Sequence, residues 1–434
     1  MKRLQKITEK LLPFLLTVLV TLSFPLNTQA ERVYLDITAS DVRKIVIAIP
    51  DFKGTRADPA GRKRGRAMAD LLGRALELHG FARIVDPATY GSAQEADWRQ
   101  YGVDFVVRGK YSLAGKKLVI EGRLQDIAEN RMLAGRRYKG QAGQQDDMVL
   151  RLADALVKEF TGEEGISRTS IAYVSDETGA KEVFVSDVLG RRKRQITRHR
   201  HLCVSPRFTP DGNFLAYTTY HRGNQDLYIT DLRQSKVTRA LSRRKGMNLA
   251  PAFAPDGRSM VVTLSKDGSP DLYLLNRKGK ILKRLTRGMG INVSPSFSPD
   301  GKSLVFVSDR SGQPQLYRME MANGQVRRLT FDGQENSEPS WSPKGDMIVY
   351  TGRVGGQYHL FLINADGGRP RQLTSGWGDF ESATWSPDGK QVVFSRKRNG
   401  HSEICTVFTS GKDLRVLLPM EGNQSYPRWS PRPR

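Results

Sequence analysis

The sequence predicts an α/β N-terminal domain followed by an all-β six-bladed β-propeller that is closed by the C-terminal strand. A phrase of the type Pro-x-aromatic-x-Pro-Asp-Gly recurs along the chain, and its second proline stands at residues 210, 255, 299, 343, 387 and 431. The period is therefore 45 residues once and 44 residues four times. Within one copy, four short strands are predicted at 294–298, 303–308, 315–321 and 325–330. Four antiparallel strands at this period are typical of a propeller blade.

The two ends of the repeat region predict how the ring closes. The segment 170–197 matches the second, third and fourth strands of a blade but has no match to the first. The missing first strand is found at 426–430, at the other end of the chain. We therefore predict that the C-terminal strand completes the first blade and leaves no open sheet edge.

Each Pro-Asp-Gly element predicts a tight turn. Proline presets φ at the first corner, aspartate caps the turn with its carboxylate, and glycine supplies the positive φ that closes it. The acids Asp211, Asp256, Asp300 and Asp388 could suggest a ring of metal ligands, but Lys344 replaces the acid in one copy. We interpret these acids as turn residues. The aromatic residues of the phrase are interpreted as packing between blades: Phe208, Phe253, Phe297, Trp341, Trp385 and Trp429.

Residues 31–165 are predicted to form the α/β domain, and residues 166–434 the propeller. Apolar patterning in the first of these predicts two long helices, a short helix at 93–101 and five strands. The long helices are predicted at 61–79 and 146–160, and the strands at 45–49, 81–85, 105–111, 117–125 and 131–138. Asp146 and Asp147 are expected to cap the second long helix, and 161–165 is expected to be a hinge. The domain has no dinucleotide or P-loop motif, so we assign it no catalysis.

Residues 1–30 are predicted to be a signal peptide. Four basic residues within 1–10 precede an apolar run at 11–24, and Thr28-Gln29-Ala30 offers a cleavage site after Ala30. The apolar run is shorter than the ~20 residues that a membrane span needs, and no other stretch approaches that length. We expect an exported chain without a membrane span.

Charge is the unusual feature of the composition. The chain has 69 Lys and Arg against 45 Asp and Glu, a formal net charge of +24. An excess of this size favours anionic partners. The basic residues are scattered and no aromatic stacking positions accompany them, so we interpret them as a solvated surface, and export argues against nucleic acid.

The two cysteines are predicted to be buried and unpaired. Export permits disulfides, but the repeat places Cys203 and Cys405 two blades apart around the ring, which is farther than a disulfide reaches.

The order of signal peptide, small α/β domain and six copies of the repeated phrase resembles the TolB family, the periplasmic propeller proteins of the Tol-Pal envelope system. The resemblance covers the whole chain. It implies a periplasmic, monomeric protein that is not an enzyme and has no cofactor. It also implies binding to the lipoprotein Pal through the propeller and to TolA through the mature N-terminus, in outer-membrane integrity and envelope constriction during cell division. Other envelope proteins are a further class of partner.

The resemblance also implies candidate binding residues. Family positions tied to Pal binding align with Met247, Asn248, Ala250 and Val293, in loops opposite the Pro-Asp-Gly turns. The family often has a polar or charged residue where Met247 stands. To these we add the neighbouring charges Arg243, Arg244 and Lys245. The stretch that resembles the TolA-contacting segment is Glu31, Arg32, Val33, Tyr34, Leu35 and Asp36, within 31–41. The strong basicity departs from the family and predicts an acidic surface on the partner.

Two enzyme classes also use propellers. A peptidase of the prolyl oligopeptidase type needs a Gly-x-Ser-x-Gly motif, which this chain lacks. A metal-dependent lyase or hydrolase is the alternative, because His199, His201 and His221 could converge on one face of the second blade.

Overall fold

The computed structural model of the chain describes residues 43–55, 59–91, 95–234 and 238–433. The predicted signal peptide and the segment 31–41 lie outside these residues, and the division into 1–30, 31–165 and 166–434 stays a prediction. The described residues form an α/β domain and six four-stranded sheets arranged as the blades of a propeller. The predicted fold class is confirmed.

The elements of the α/β domain are β1 (Ile45–Ala48), β2 (Lys53–Gly54), α1 (Pro59–Glu77), β3 (Ala82–Ile84), β4 (Phe105–Ala114), β5 (Lys117–Asp126), β6 (Arg131–Gln141) and α2 (Gln145–Thr161). Short 3₁₀ turns lie at Pro87–Tyr90, Trp98–Tyr101 and Ala142–Gln144. The strands form one mixed sheet with the order β3-β1-β4-β5-β6, and β2 pairs with β4. Strand β1 is parallel to β3 and β4, whereas β4, β5 and β6 form an antiparallel meander.

Both helices bury one apolar face, as their sequence spacing predicts. In α1 the fully buried residues Met68, Leu72 and Leu76 recur every four positions. Helix α2 ends at Gly162, whose φ of 73° is the left-handed conformation that glycine adopts easily at a helix end.

The predicted cap of α2 is wrong. Gln144 is the N-cap residue, and Asp146 and Asp147 lie inside the first turn. Their carboxylates instead bind basic side chains, Asp146 those of Arg191 and Arg192, and Asp147 those of Arg151 and Arg168. Acidic groups in a first turn still favour the helix dipole.

Each blade is an antiparallel sheet whose first strand is the innermost. In chain order after the first blade, the blades are β10–β13 (Cys203–Phe208, Phe214–Thr219, Asp226–Asp231, Thr238–Ser242), β14–β17 (Asn248–Phe253, Ser259–Leu264, Asp271–Asn276, Ile281–Arg284), β18–β21 (Asn292–Phe297, Ser303–Ser308, Gln315–Glu320, Val326–Arg328), β22–β25 (Asn336–Trp341, Met347–Val354, Gln357–Asn364, Arg371–Gln372) and β26–β29 (Asp379–Trp385, Gln391–Arg398, His401–Phe408, Arg415–Leu418). We number these blades two to six.

The first blade confirms the predicted closure. It is formed by β7 (Ser170–Ser175), β8 (Glu182–Asp187), β9 (Lys193–Gln195) and the C-terminal β30 (Gln424–Trp429), in the order β30-β7-β8-β9. Trp429 is 6% exposed, and its indole Nε1 donates to the Thr169 hydroxyl at 2.8 Å. The two ends of the propeller are therefore joined within one sheet.

The Pro-Asp-Gly turns behave as predicted. The Asp211, Asp256, Asp300 and Asp388 carboxylates each accept the backbone N–H of the residue two positions later, at 2.9–3.1 Å. In the copy with Lys344, the Ser342 hydroxyl accepts the Lys344 N–H instead, at 3.1 Å. These four carboxylates therefore cap their own turns through hydrogen bonds to the backbone.

Arginines of the outer strands link neighbouring blades. Guanidinium groups on the fourth strand of one blade donate to a backbone oxygen in the turn between the third and fourth strands of the next. The pairs are Arg194 with Leu232 O, Arg239 with Arg277 O, Arg327 with Asp366 O, and Arg371 with Thr409 O. Part of the strong basic charge is thus structural, because an arginine reaches these carbonyls while its charge stays in solvent.

The segment 161–165 is not the hinge that its composition predicts. Glu163 forms ion pairs with Lys344 and Lys390 of the propeller, and the Gly165 carbonyl accepts from Arg432 Nε at 3.0 Å. The next residue, Ile166, is fully buried, and its N–H donates to His79 Nε2 at 3.0 Å. Both domains therefore hold this segment in place.

Both cysteines are free and buried, as predicted, with Cys203 in β10 and Cys405 in β28. Burial raises the pKa of each thiol to about 12, so neither is a ready nucleophile or metal ligand.

Candidate interaction face

The propeller has two unlike faces. One face carries the Pro-Asp-Gly turns and the turns between third and fourth strands, and we name it the domain face because the α/β domain contacts it. Arg74 donates to Leu189 O at 2.9 Å, Gln391 donates to Leu78 O at 2.9 Å, and Lys44 pairs with Asp413 at 3.0 Å. The opposite face, which we name the open face, is left uncovered by the described part of the α/β domain.

The open face is formed by two sets of loops. Those joining the fourth strand of one blade to the first strand of the next are 196–202, 243–247, 285–291, 329–335, 373–378 and 419–423. Those joining second to third strands include the hairpins of blades five and six, whose strands are eight residues long. The loops of the first set, which precede each first strand, are where the sequence predicts recognition.

Exposed apolar side chains are concentrated on the open face. Of the ten large hydrophobic residues that are exposed in the described part of the chain, seven lie on this face, and we name them the apolar crown. Met289 and Phe331 are 70% exposed, and Trp377 is 66% exposed. The members are Leu202, Met247, Met289, Ile291, Phe331, Val354 and Trp377. Apolar residues clustered on one face mark a surface that a protein partner covers, and Met and aromatic residues are enriched in such interfaces.

Hydrogen bonds and a cation–π contact hold crown residues and their loops in place. Trp377 O accepts from Arg398 Nε at 2.7 Å, and the Arg328 guanidinium lies over the Phe331 ring at 5.0 Å. The loop before blade three is held by Asn248, which is fully buried. Its amide donates to Arg244 O at 2.6 Å and to Gly246 O at 3.0 Å. A loop held in this way presents its apolar side chains with little further ordering on binding.

The amide of Asn248 has equivalents in other blades. Asn292, Asn336 and Gln424 occupy the same place, three residues before the proline, and each side-chain amide donates to carbonyls of its own loop. The sequence analysis did not predict that these amides brace the loops, although their constant spacing from the prolines is visible in the repeat.

The structure separates the candidate Pal-binding residues into exposed and structural positions. Met247 is 36% exposed and belongs to the crown, and Arg243 and Lys245 are exposed beside it. Asn248 shapes the loop from the interior. Val293 is half-buried and packs against the core between blades four and five. Ala250 belongs to β14, and its side chain lies outside what the structure describes.

Arg244 also has a structural place. Its guanidinium donates to the Ser242 hydroxyl at 2.7 Å and to Gly279 O of blade three at 3.0 Å. It therefore links two blades, and only Arg243 and Lys245 of the three predicted basic residues are free to meet a partner through their charge.

Two of the three histidines come together. The rings of His199 and His221 stack with centroids 4.6 Å apart, and His199 Nε2 lies 3.2 Å from the Tyr217 hydroxyl. Burial, and after it the charge of a neighbour, lowers the pKa of both, which favours their neutral forms. His201 is exposed. Among the residues that the structure describes, no three His, Cys, Asp or Glu side chains are arranged to hold a metal ion.

Across the described ranges, no helix is both long enough and apolar enough to cross a membrane.

Comparison with known families gives two matches that follow the two domains. A model described as the TolB beta propeller domain matches residues 157–433, and one described as the TolB amino-terminal domain matches residues 33–133. The chain belongs to the TolB family. In TolB relatives named Tol-Pal system protein TolB, identity is 49% over 212 residues in Desulfotalea psychrophila and 36% over 235 residues in Desulfosudis oleivorans.

These alignments span about half of each curated relative, 48% and 54% of its length, and 49% and 52% of this chain. A solved structure covers more. TolB from Acinetobacter baumannii superimposes with a TM-score of 0.79 at 28% identity, over 90% of this chain and 97% of that one. The likeness to TolB therefore extends over both domains.

Proposed function

We propose that this chain is a periplasmic, non-enzymatic interaction protein of the Tol-Pal system. In this proposal it binds Pal through the open face and TolA through the N-terminal segment, and so serves outer-membrane integrity and constriction during cell division. The observation that carries the proposal is the apolar crown on the open face, which the described part of the α/β domain leaves uncovered. Family membership supports the choice of Pal as the partner for that face.

The distribution of the crown favours a protein partner over a small ligand. Five of the six loops that join one blade to the next contribute to it, so the apolar surface is spread around the face. A small-molecule site gathers its apolar lining in one concave pocket, whereas a protein interface is broad and has an apolar centre with a polar rim. Exposed charges such as Arg243 and Lys245 would form part of that rim.

The charge of the face supports an acidic partner surface. Reversing both exposed charges, Arg243→Glu with Lys245→Glu, is expected to weaken Pal binding by roughly fivefold at low salt, mainly through slower association. The loss should shrink as salt rises, because rim charges are screened. Arg244 is left unchanged because it links two blades.

The matched control is Lys278→Glu with Lys280→Glu, which reverses two exposed charges on the domain face. Titration calorimetry with the purified Pal domain at two salt concentrations measures both variants. Equal weakening by the two pairs would mean that net charge alone sets the affinity, and the interface would have to lie elsewhere.

The N-terminal segment is proposed to contact TolA because of its place in the chain. We expect export to leave a mature chain that begins at Glu31. Removing 31–41 from that chain should weaken TolA binding at least tenfold and leave Pal binding and the melting temperature unchanged. Parallel titrations with the two partners measure this, and a shortened chain that retains full TolA affinity would remove the segment from the proposal.

A further inference from the structure

The axis of the propeller contains a channel of about 570 Å³ that is lined by the six first strands. The residue three positions before the second proline of each repeat lies on a first strand, and the six residues at this position line the channel. Going round from blade two, the ring is Arg207, Ala252, Ser296, Ser340, Thr384 and Arg428. Two arginines from adjacent blades thus share a level of the channel with three hydroxyl groups.

Among the residues that the structure describes, neither arginine forms a direct ion pair. Arg428 is 9% exposed, and its Nη1 donates to Ser382 O at 2.8 Å and to Pro427 O at 2.9 Å. Arg207 Nη1 donates to Pro206 O at 3.0 Å. Within the described residues, the partners of both guanidinium groups are backbone carbonyls. A guanidinium has five N–H donors, so each retains donors for a further acceptor.

The surroundings of the two arginines disfavour their charge. Burial, and next the positive charge of Arg428, lowers the pKa of Arg207 well below its ordinary value. Burial lowers the pKa of Arg428 to about 10. Arginine keeps its charge at neutral pH in proteins, and a buried charge without an ion-pair partner is costly. An anion in the channel would relieve that cost.

One carboxylate of the channel faces both arginines, but it is bound elsewhere. Glu338 accepts the Ser382 N–H at 2.6 Å and the Ser382 hydroxyl at 3.1 Å. Burial, and then the charge of Glu338, raises the pKa of the nearby Glu381 to about 7, so Glu381 is partly protonated at neutral pH. The two guanidinium groups therefore face one carboxylate, Glu338, whose oxygens are already hydrogen-bonded to Ser382.

We propose that the channel binds a phosphate-class oxyanion between Arg207 and Arg428, with the hydroxyls of Ser296, Ser340 and Thr384 as further donors. A tetrahedral oxyanion presents acceptor oxygens in several directions, which suits donors that surround it on a ring. Arginine is the residue best matched to such an anion. This inference does not depend on the Tol-Pal proposal. The anion could be free phosphate or the phosphate group of a larger molecule.

The test uses the mature protein and two probes, inorganic phosphate and glycerol phosphate. Each is titrated by calorimetry and by thermal unfolding against sodium chloride of equal ionic strength. Saturable binding of either probe, with a rise in the melting temperature beyond that in chloride, is expected. Tighter binding of glycerol phosphate would identify a phosphate ester as the better ligand, and tighter binding of inorganic phosphate would identify the free ion.

Variants decide whether the ring is the site. Arg207→Gln should lower the affinity at least tenfold, whereas Arg83→Gln, at an exposed position of β3 in the α/β domain, should leave it unchanged. Ser296→Ala with Ser340→Ala keeps both charges and should lower the affinity severalfold, so the proposal stays testable if an arginine variant fails to fold. Absence of saturable binding, or an affinity unaffected by both channel variants, would overturn the proposal.

Discussion

A chain that lacks residues 424–434 is expected to lose the closed ring and most of its stability. The deletion removes β30, which pairs with β7 through Gln424↔Ser175, Ser425↔Val174, Arg428↔Ala172 and Trp429↔Ile171. It also removes Trp429 from the core of the first blade. Loss of a buried tryptophan side chain alone costs about 3–5 kcal/mol, and a typical domain is stable by only about 5–15 kcal/mol.

Deletion of 433–434 alone is the matched control, because Pro433 is exposed and follows the last strand. That shorter deletion should leave the melting temperature within about a degree of the full chain. Thermal unfolding followed by circular dichroism compares the three proteins. A chain lacking 424–434 that melts at the original temperature would contradict closure by β30.

The fold could be predicted from the sequence because the repeat makes each local pattern visible several times. The turn residues at Pro-Asp-Gly and the apolar strands recur at a fixed period, so several copies support each strand and turn assignment and a chance match in one copy has little weight. Closure could be predicted because the segment 170–197 has no match to a first strand, and the strand at 426–430 is a first strand without a blade of its own. A feature that occurs only once, such as the cap of α2, is harder to predict. Asp146 and Asp147 bind the side chains of Arg191 and Arg168, which come near them only in the folded chain.

The candidate face could be predicted only in outline. Topology shows which loops share a face, but it does not show which side chains in them are exposed. Met247 and Asn248 are adjacent in the chain, yet one is exposed and the other is fully buried because its amide organises the loop. Phenylalanine and tryptophan usually lie in a protein core, and only the structure shows that the side chains of Phe331 and Trp377 are exposed to solvent. The channel arginines become neighbours only when the ring closes.

Replacing the two aromatic residues of the crown is expected to have the largest effect on binding. Phe331→Asp with Trp377→Asp should weaken Pal binding by a hundredfold or more, because large aromatic side chains at the centre of an interface carry most of its energy. The fold should be little affected. Both side chains are about two-thirds exposed, at 70% and 66%, so their removal leaves no cavity.

Leu282→Asp is the control for this substitution. Leu282 is 55% exposed on β17, an outer strand away from the crown, so the control places an aspartate, one of the two charges that the double variant adds, at another exposed apolar position. Surface-immobilised Pal measures the affinity of each variant, and thermal unfolding checks that the fold persists. If the double variant bound Pal as tightly as the Leu282 variant does, the crown would not be the binding surface.

Hydrogen–deuterium exchange of the mature protein, with and without a soluble Pal domain, tests whether Pal binds the open face. We expect slower exchange on binding in the open-face loops 196–202, 243–247, 285–291, 329–335 and 373–378, with the Pro-Asp-Gly turns of the domain face unchanged. Protection confined to the α/β domain or to the domain face would contradict it.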